Sequence, residues 1–178
     1  MKKVKKEHKE KIMEMIKKGE NNEYETSWNE KGIPISKKKS NIKKGKLSRA
    51  AGARFELKAR GELEKEGWVI DKWTNNVNLE EGKVVKAKRK YNPFKKVMVI
   101  GTGFPDFVAF KKSRGDYYEV IGVESKMNGT LSKIEKEKCA WYLKNEIFSR
   151  ILIAKKSKER GKVDFVDFKK KHGKNYKV

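Results

Sequence analysis

Two carboxylates and a lysine stand at the ends of apolar segments in a chain that is otherwise crowded with lysine. Asp106 comes directly before the apolar run Phe107 to Phe110, and Glu124 and Lys126 end the run YYEVIGVESK. Glu124 and Lys126 are two residues apart, so on a β-strand their side chains leave the same face. We therefore expect the three residues to form one polar site at the end of a sheet.

The two acids have the spacing of a metal-binding pair. Only the turn KKSRGD separates the two runs, which predicts adjacent strands. Adjacent strands lie ~4.8 Å apart, so both carboxylates can reach one ion. Carboxylate oxygens, completed by water and phosphate oxygens, suit Mg²⁺ or Mn²⁺. We predict a metal site formed by Asp106, Glu124 and the backbone carbonyl of Ser125.

Lys126 has a specific use beside such an ion. It can position or deprotonate an attacking water and offset the charge that grows on a phosphoryl transition state. A neighbouring divalent cation favours the neutral amine that a general base requires. Glu56 lies beside a helical apolar stripe and would hold a second ion or a metal-bound water if its helix packs along this edge of the sheet. The catalytic prediction is Glu56, Asp106, Glu124 and Lys126, with Glu56 as a further candidate metal ligand.

A structural interpretation of the same residues also exists. Asp106 would then be a turn residue, and Glu124 and Lys126 would form a same-face ion pair at a strand end. An E-x-K triplet alone arises by chance in a Lys/Glu-rich chain. A P-D before one apolar strand, E-x-K at the end of the next and an acid on the preceding helix are together more specific. This combination favours the catalytic interpretation.

The remaining segments predict an α/β sandwich that would hold these residues. The stretch LSRAAGARFELKARGELEKEG predicts a helix with Ser48 as N-cap, and Ala51, Phe55, Ala59 and Leu63 form its apolar stripe. After a turn at Asn128–Gly129, a second helix is predicted with Leu131, Ile134, Trp141 and Tyr142 facing inward. The predicted strands are WVIDKW, VMVI, DFVAF, YYEVIGVESK, RILIAKK and KVDFVDF. YYEVIGVESK is largely apolar, so we expect it to be central in a sheet covered on both faces.

The predicted body spans residues 47–178, and one basic segment precedes it while another is inserted into it. Residues 1–46 hold 15 lysines and 7 glutamates and predict an arm, partly extended or helical, with a short helix around Lys9 to Lys18. A solvated tail and a DNA-binding arm both fit this arm. Residues 74–96 form an insertion whose cations and aromatic residues can hold phosphates and stack on bases, or can form a solvated hairpin. The predicted nucleic-acid contacts are Arg54, Arg60, Lys86, Lys88, Arg89, Lys90 and Lys133.

The charge of the chain favours a polyanionic partner. Lys and Arg total 47 against 24 acids, a formal net charge of +23 over 178 residues. Each neutralised phosphate releases condensed counterions, so nucleic acid is the expected partner. A ribosome or an anionic membrane would satisfy the same charge, but no basic amphipathic helix with a strong aromatic face supports the membrane.

Cysteine usage and hydropathy predict an intracellular, cytoplasmic and nucleoid-associated protein. The single Cys139 cannot form an intramolecular disulfide, and no apolar run approaches the ~18–20 residues that span a bilayer. Forty of the 47 cations are lysine and glutamine is absent, which is typical of hyperthermophile proteins. An AT-rich genome would also raise the contents of Lys, Asn and Ile. Of the two sources, we expect the first, a thermophilic archaeon.

The helix with Glu56, the FPDF segment and the VESK segment resemble the PD-(D/E)XK nuclease superfamily. Within it, GARFELKARGELEKEGW, GTGFPDFVAF and RILIAKK are most similar to archaeal Holliday junction resolvases, over roughly Leu47 to Lys170. The resemblance implies a restriction-endonuclease-like α/β/α sandwich with a central mixed sheet of about five strands. It also implies a homodimeric, Mg²⁺-dependent endonuclease of DNA recombination or repair. Asp106 and Glu124 would be metal ligands, Lys126 the catalytic lysine and Glu56 the helix acid.

The chain departs from that family in several places. The resolvases usually have arginine directly after the helix glutamate, where this chain has Leu57. Glu135 stands where virus-type replication-repair nucleases commonly have glutamine, and the arm and the insertion are foreign to a compact resolvase. A restriction-type or replication-repair nuclease is therefore an alternative function. A non-catalytic nucleic-acid-binding protein that keeps the fold is the second alternative.

Overall fold

A computed structural model describes residues 10–14, 16–17, 23–28, 34–87, 89–92, 97–100 and 103–178. The chain divides into two compact units, Met1–Ala53 and Arg54–Val178. These are the N-terminal unit and the C-terminal unit.

The N-terminal unit contains an antiparallel hairpin of β1 (Tyr24–Trp28) and β2 (Pro34–Lys38). Residues 10–14 and 16–17 are helical, so the short helix predicted around Lys9 to Lys18 is confirmed over those positions. Helix α1 (Lys39–Lys65) begins directly after β2. The prediction that Ser48 is its N-cap is wrong, because the lysine-rich stretch before Ser48 is already helical. Lysine is a good helix former, and the cost of ~1 kcal/mol for Gly45 does not end the helix. The predicted boundary after residue 46 lies inside α1.

A mixed sheet of five strands forms the centre of the C-terminal unit. Its strands are β3 (Val69–Lys72), β8 (Phe107–Lys112), β9 (Tyr118–Ser125), β10 (Arg150–Lys156) and β11 (Val163–Asp167). The order is β11-β10-β9-β8-β3, with β9 and β10 parallel and the other pairs antiparallel. The α/β class, the mixed five-stranded sheet and the central position of YYEVIGVESK are thereby confirmed.

The predicted insertion consists largely of hairpin strands. Strands β4 (Asn75–Asn78) and β5 (Lys83–Lys86) form one antiparallel pair, and β6 (Arg89–Asn92) pairs with β7 (Val97–Ile100) in another. The predicted strand VMVI thus belongs to a hairpin outside the five-stranded sheet. Lys88 and residues 93–96, including Phe94, lie outside the described residues.

Helices cover both faces of the sheet. Phe55, Ala59 and Leu63 of α1 pack with Ile121 and Val123 of the central strand. On the other face, helices α2 (Lys133–Lys144) and α3 (Phe168–Tyr176) close a second core, which contains Tyr142, Phe148, Ile151, Ile153 and Phe168. The two cores therefore lie on opposite faces of the sheet, each closed by helices.

Two details of the helices differ from the sequence prediction. Ile134 is 59% exposed and does not face inward. It lies five residues before the buried Cys139, about 140° around the helix at ~100° per residue. Helix α3 was not predicted, because FKKKHGKNY buries only Phe168 and Gly173 and lacks apolar periodicity. Among the described residues, no helix is both long and apolar enough to cross a membrane.

Candidate active site

Asp106 and Glu124 lie opposite each other at one end of the β8–β9 pair. Phe107 pairs with Val123 in the antiparallel register, which places the preceding Asp106 across from Glu124. The backbone N–H of Asp106 donates to Glu124 Oε2 at 3.1 Å, and the N–H of Ser125 donates to Asp106 Oδ2 at 2.9 Å. Directly opposed residues share a sheet face, so the two carboxylates emerge on the same side.

The loop that carries Asp106 is fixed by contacts to three other segments. Trp73 N–H donates to Asp106 O at 3.2 Å, and Phe104 N–H donates to Asn75 O at 2.9 Å. The hydroxyl of Tyr142, on α2, donates to Phe104 O at 2.8 Å. The Phe104–Pro105 peptide bond is cis. These contacts position Asp106 from the residue after β3, from β4 and from α2, in addition to its bonds with β9.

Lys126 lies between two carboxylates. Its Nζ is 3.1 Å from Glu124 Oε1 and 2.6 Å from Glu135 Oε1. The ion pair that the structural interpretation expected between Glu124 and Lys126 is therefore present, but a second acid shares the same lysine. A simple strand-end pair does not require Glu135.

Glu135 serves both helix α2 and Lys126. It is the third residue of α2 and forms a capping box with Ser132, in which Ser132 N–H donates to Glu135 Oε2 at 2.7 Å. Its other oxygen, Oε1, binds Lys126. The capping box is readable in the sequence as S-x-x-E. The contact with Lys126 is not, because it depends on how α2 packs beside the end of β9.

Glu56 joins the site electrostatically from the opposite helix layer. Glu56 lies on α1 and is half-buried. Burial and, next, the charge of Asp106 raise the pKa of Glu56, while Lys72 and Lys126 act in the other direction. Lys72, the last residue of β3, was not singled out from the sequence. The sequence feature that could have identified Lys72 is its place at the end of β3, the strand next to the one that follows Asp106. The charge of Lys72 also lowers the pKa of Asp106, against the effect of burial.

The surroundings of Asp106 and Glu124 raise their pKa values, so both acids ionise less readily than they would in water. Burial raises the pKa of Asp106, against hydrogen bonding from Ser125 and the charge of Lys126. Burial, with the charge of Asp106 next, raises the pKa of Glu124 to about 8. Glu124 is 4% exposed and is the one buried charged residue in the part of the chain that the structure describes. A bound cation would relieve this crowding of negative charge.

Lys126 and Glu135, in contrast, are both stabilised in their charged forms. Burial lowers the pKa of Lys126, but hydrogen bonds and charge from Glu135 and Glu124 outweigh it, and the pKa is raised overall. Burial raises the pKa of Glu135, yet the bonds from Lys126 and Ser132 outweigh it and lower the pKa. The pair is therefore ionised, and the neutral Lys126 expected beside a metal is not the form that these contacts favour.

The carboxylates of Asp106 and Glu124 are a suitable pair of ligands for a hard divalent cation. Asp106 and Glu124 offer carboxylate oxygens on one side of the sheet end, as Mg²⁺ and Mn²⁺ require. Across the described ranges, no group of three or more His, Cys, Asp or Glu side chains is arranged to hold a metal. The remaining ligands would have to be the Ser125 carbonyl, water and substrate oxygens, and Glu56 stays a prediction as a direct ligand.

The predicted nucleic-acid contacts fall into three groups. Arg60 is engaged within the fold, where its Nε donates to Glu64 Oε1 at 2.8 Å and its Nη2 donates to Ile70 O at 3.1 Å. Arg54, Lys86 and Lys133 are exposed. Lys88 lies outside the described residues, and Arg89 and Lys90 are described only as backbone positions of β6. Arg60 is thus partly committed to structure, and the other contacts stay predictions.

Similarity to known proteins does not indicate a function for this chain. No protein-family model matches the chain, and no curated protein or solved structure matches it either. The functional interpretation therefore depends on the opposed carboxylates, the shared lysine and the charge of the protein.

Proposed function

We propose that the protein is a metal-dependent DNA endonuclease of the PD-(D/E)XK type, with the structure-selective activity of a Holliday junction resolvase in recombination or repair. One observation carries the proposal. Asp106 and Glu124 face each other across two strands, with Lys126 hydrogen-bonded to Glu124 at the same sheet end. A buried acid with a raised pKa beside a second acid and a lysine is typical of a functional centre.

Each side chain of the site has its own role in the proposed reaction. Asp106 and Glu124, with the Ser125 carbonyl, would hold the Mg²⁺ or Mn²⁺. When bound, such an ion acidifies water and polarises a phosphoryl oxygen. Lys126 donates to the attacking water or to a non-bridging phosphate oxygen and offsets the negative charge that develops there. Glu135 fixes the Lys126 ammonium from α2, and Glu56 lies where the charge of Asp106 raises its pKa.

DNA is the substrate that the surface supports. The net charge of +23 and the exposed cations Arg54, Lys86 and Lys133 suit a phosphate backbone. Phosphate contacts position a protein without reading sequence, so selection would depend on DNA shape. A homodimer would present two such centres to the two strands of a branched substrate. A restriction-type or replication-repair nuclease would use the same centre on duplex or flap DNA.

The test is cleavage of a panel of end-labelled DNAs: a four-way junction, a flap, a duplex and a single strand. Each is incubated with Mg²⁺, with Mn²⁺ or with EDTA. The expected result is metal-dependent cleavage that is strongest on a branched substrate and is lost in Asp106→Asn and Glu124→Gln. Asp116→Asn is the matched control, because Asp116 is an exposed acid in the turn before β9.

The outcomes separate the candidate functions. Cleavage in EDTA, or cleavage that survives both substitutions, overturns the proposal. Tight DNA binding without cleavage under every metal condition identifies the second candidate, a binding protein that keeps the fold. Preference for the unbranched duplex selects the restriction-type alternative.

A further inference from the structure

A basic cleft lies within the N-terminal unit, between the β1–β2 hairpin and the first turns of α1. It has a volume of about 560 Å³ and is lined by Tyr24, by Ser36–Lys38 and by Asn41, Gly45 and Arg49 of the helix. We call it the hairpin cleft. Ligand sites in proteins have volumes of ~300–1,000 Å³, so this cleft can receive a group of small-molecule size.

The lining of the hairpin cleft is cationic. Lys38 and Arg49 supply its positive side chains, Lys37 borders it, and the lining contains no acid. Glu25 pairs with Lys37 across the hairpin, and strand alternation places both on the ribbon face opposite to that of Ser36. Helix α1 also has no acid in its first turn, so the partial positive charge of its N-terminus adds to that of the side chains. The cleft is thus suited to an anion.

The cleft also contains an unused hydrogen-bonding group. Ser36 Oγ is shielded from solvent and has no hydrogen-bond partner among the described residues. A buried hydroxyl without a partner costs free energy, which a bound acceptor or donor would recover. Because Ser36 lines the cleft, a phosphate oxygen bound there would accept this hydroxyl hydrogen once the side chain turns toward the cleft.

An aromatic ring lies on the same face as that hydroxyl. Tyr24 pairs with Lys38, whose Nζ is 5.7 Å from the centre of the Tyr24 ring. Gly45 leaves the facing wall open, since a Cβ at that position would have no atom within 4 Å. Cations beside an aromatic ring in an open groove are the pattern of single-stranded nucleic-acid binding, in which phosphates meet the cations and a base stacks on the ring.

We propose that the hairpin cleft binds one phosphate and the adjoining unstacked base of a single-stranded nucleic acid. A regular duplex keeps its bases stacked inside, so it cannot offer a base to Tyr24. The proposal gives the basic N-terminal segment a binding role of its own. It does not depend on the nuclease chemistry, because the cleft shares no residue with the site around Asp106.

The test measures binding in EDTA, where metal-dependent cleavage cannot interfere. Fluorescence anisotropy of a labelled single-stranded oligonucleotide gives its Kd for the full chain over a range of salt concentrations. Arg49→Ala and Lys38→Ala should each weaken binding about fivefold or more, and losing one phosphate contact should lower the salt slope by ~0.7. Tyr24→Leu should weaken single-strand binding about tenfold and leave duplex binding unchanged.

One further cleft variant and two matched controls lie on the same helix. Gly45→Leu fills the cleft without changing its charge, and Gly52→Leu makes the same change at a helix glycine that also has open space around it but does not line the cleft. Lys46→Ala removes an exposed charge next to Gly45, outside the lining. Both glycine substitutions favour the helix, so loss of folding does not confuse the comparison.

The proposal requires weaker binding for Gly45→Leu and wild-type binding for Gly52→Leu and Lys46→Ala. It is overturned if the cleft variants bind the single strand like wild type, or if the controls weaken binding equally. It is also overturned if the cleft variants affect only the duplex. A protein that cleaves no DNA but shows this binding pattern would refute the proposed function and leave the cleft proposal intact.

Discussion

Lys126 Nζ lies 2.6 Å from Glu135 Oε1, so the lysine that follows the central strand is anchored to the first turn of α2. The same ammonium is 3.1 Å from Glu124 Oε1. Without Glu135, Lys126 would be tied to Glu124 alone and would compete directly with a metal ion for that carboxylate. Glu135 therefore acts as a positioning residue for the lysine.

Glu135→Ala should lower the single-turnover cleavage rate about tenfold or more. A hydrogen bond between charged groups contributes ~1.5–3 kcal/mol, and here it fixes the orientation of Lys126. Glu135→Gln should recover part of the rate, because its amide oxygen can still accept from Lys126. The measurement is a quenched-flow or manual time course with enzyme in excess of labelled DNA.

Ser132→Ala separates this role from helix capping. It removes the Ser132 Oγ that accepts from Glu135 N–H but leaves the ion pair with Lys126. We expect a loss of ~1 kcal/mol in the free energy of unfolding with little change in rate. If Ser132→Ala slows cleavage as much as Glu135→Ala, Glu135 acts through helix stability and not through Lys126.

The parts of the site that follow from local sequence were predictable. Asp106 and Glu124 could be paired because a short turn joins two apolar runs, and strand alternation then puts Lys126 on the face of Glu124. Glu135 and Lys72 reach the site through the packing of α2 and the order of β3 in the sheet. These relations are set by contacts far apart in sequence, and no local periodicity encodes them.

Errors in the predicted elements have equally physical reasons. The start of α1 was misplaced because Ser48 has a capping residue type, whereas the preceding lysines have sufficient helix propensity to continue the helix back to Lys39. Ile134 was expected inward from residue type alone, although its angular position is away from Cys139. Capping signals and apolar residues become ambiguous when a helix carries few apolar residues.

The metal-free protein should lose stability as pH rises, because of Glu124. The pKa of Glu124 is raised from the ordinary value of 4.5 to about 8, so the folded state binds this proton more tightly than the unfolded chain. Its stabilising contribution is therefore complete below 4.5 and is lost as pH rises through about 8. Glu124→Gln carries no such proton and should gain stability relative to wild type across this window.

Urea denaturation in EDTA at several pH values measures the effect. The difference between Glu124→Gln and wild type should grow by up to about 5 kcal/mol between the acidic and alkaline ends, since the pKa is raised from 4.5 to about 8 and one pKa unit corresponds to ~1.4 kcal/mol. Glu135, whose pKa is lowered, is present in both proteins and largely cancels. A difference that is constant with pH would show that Glu124 titrates normally.

Divalent metal should stabilise the protein through the same pair of acids. An ion that binds the folded state at a hundredfold excess over its Kd adds ~2.7 kcal/mol to the free energy of unfolding. Mn²⁺ or Mg²⁺ should therefore raise the Tm of wild type and of Asp116→Asn, and EDTA should reverse the rise. Asp106→Asn and Glu124→Gln should show no rise. An equal rise in all four proteins would place the ion elsewhere.

Gly122 is expected to control the position of Asp106 through Pro105. A Cβ added at Gly122 would lie 2.9 Å from Pro105 Cγ and 3.1 Å from Phe148 Cδ2, closer than ordinary contact. Gly122→Ala should therefore cost ~1–3 kcal/mol of stability and shift the loop that carries Asp106, with a fall in cleavage rate. Gly61→Ala is the control, because a Cβ there meets no atom within 4 Å and alanine favours the helix. Urea denaturation and single-turnover cleavage measure the two effects, and a Gly122→Ala protein with wild-type stability and rate would refute the coupling between Gly122 and Asp106.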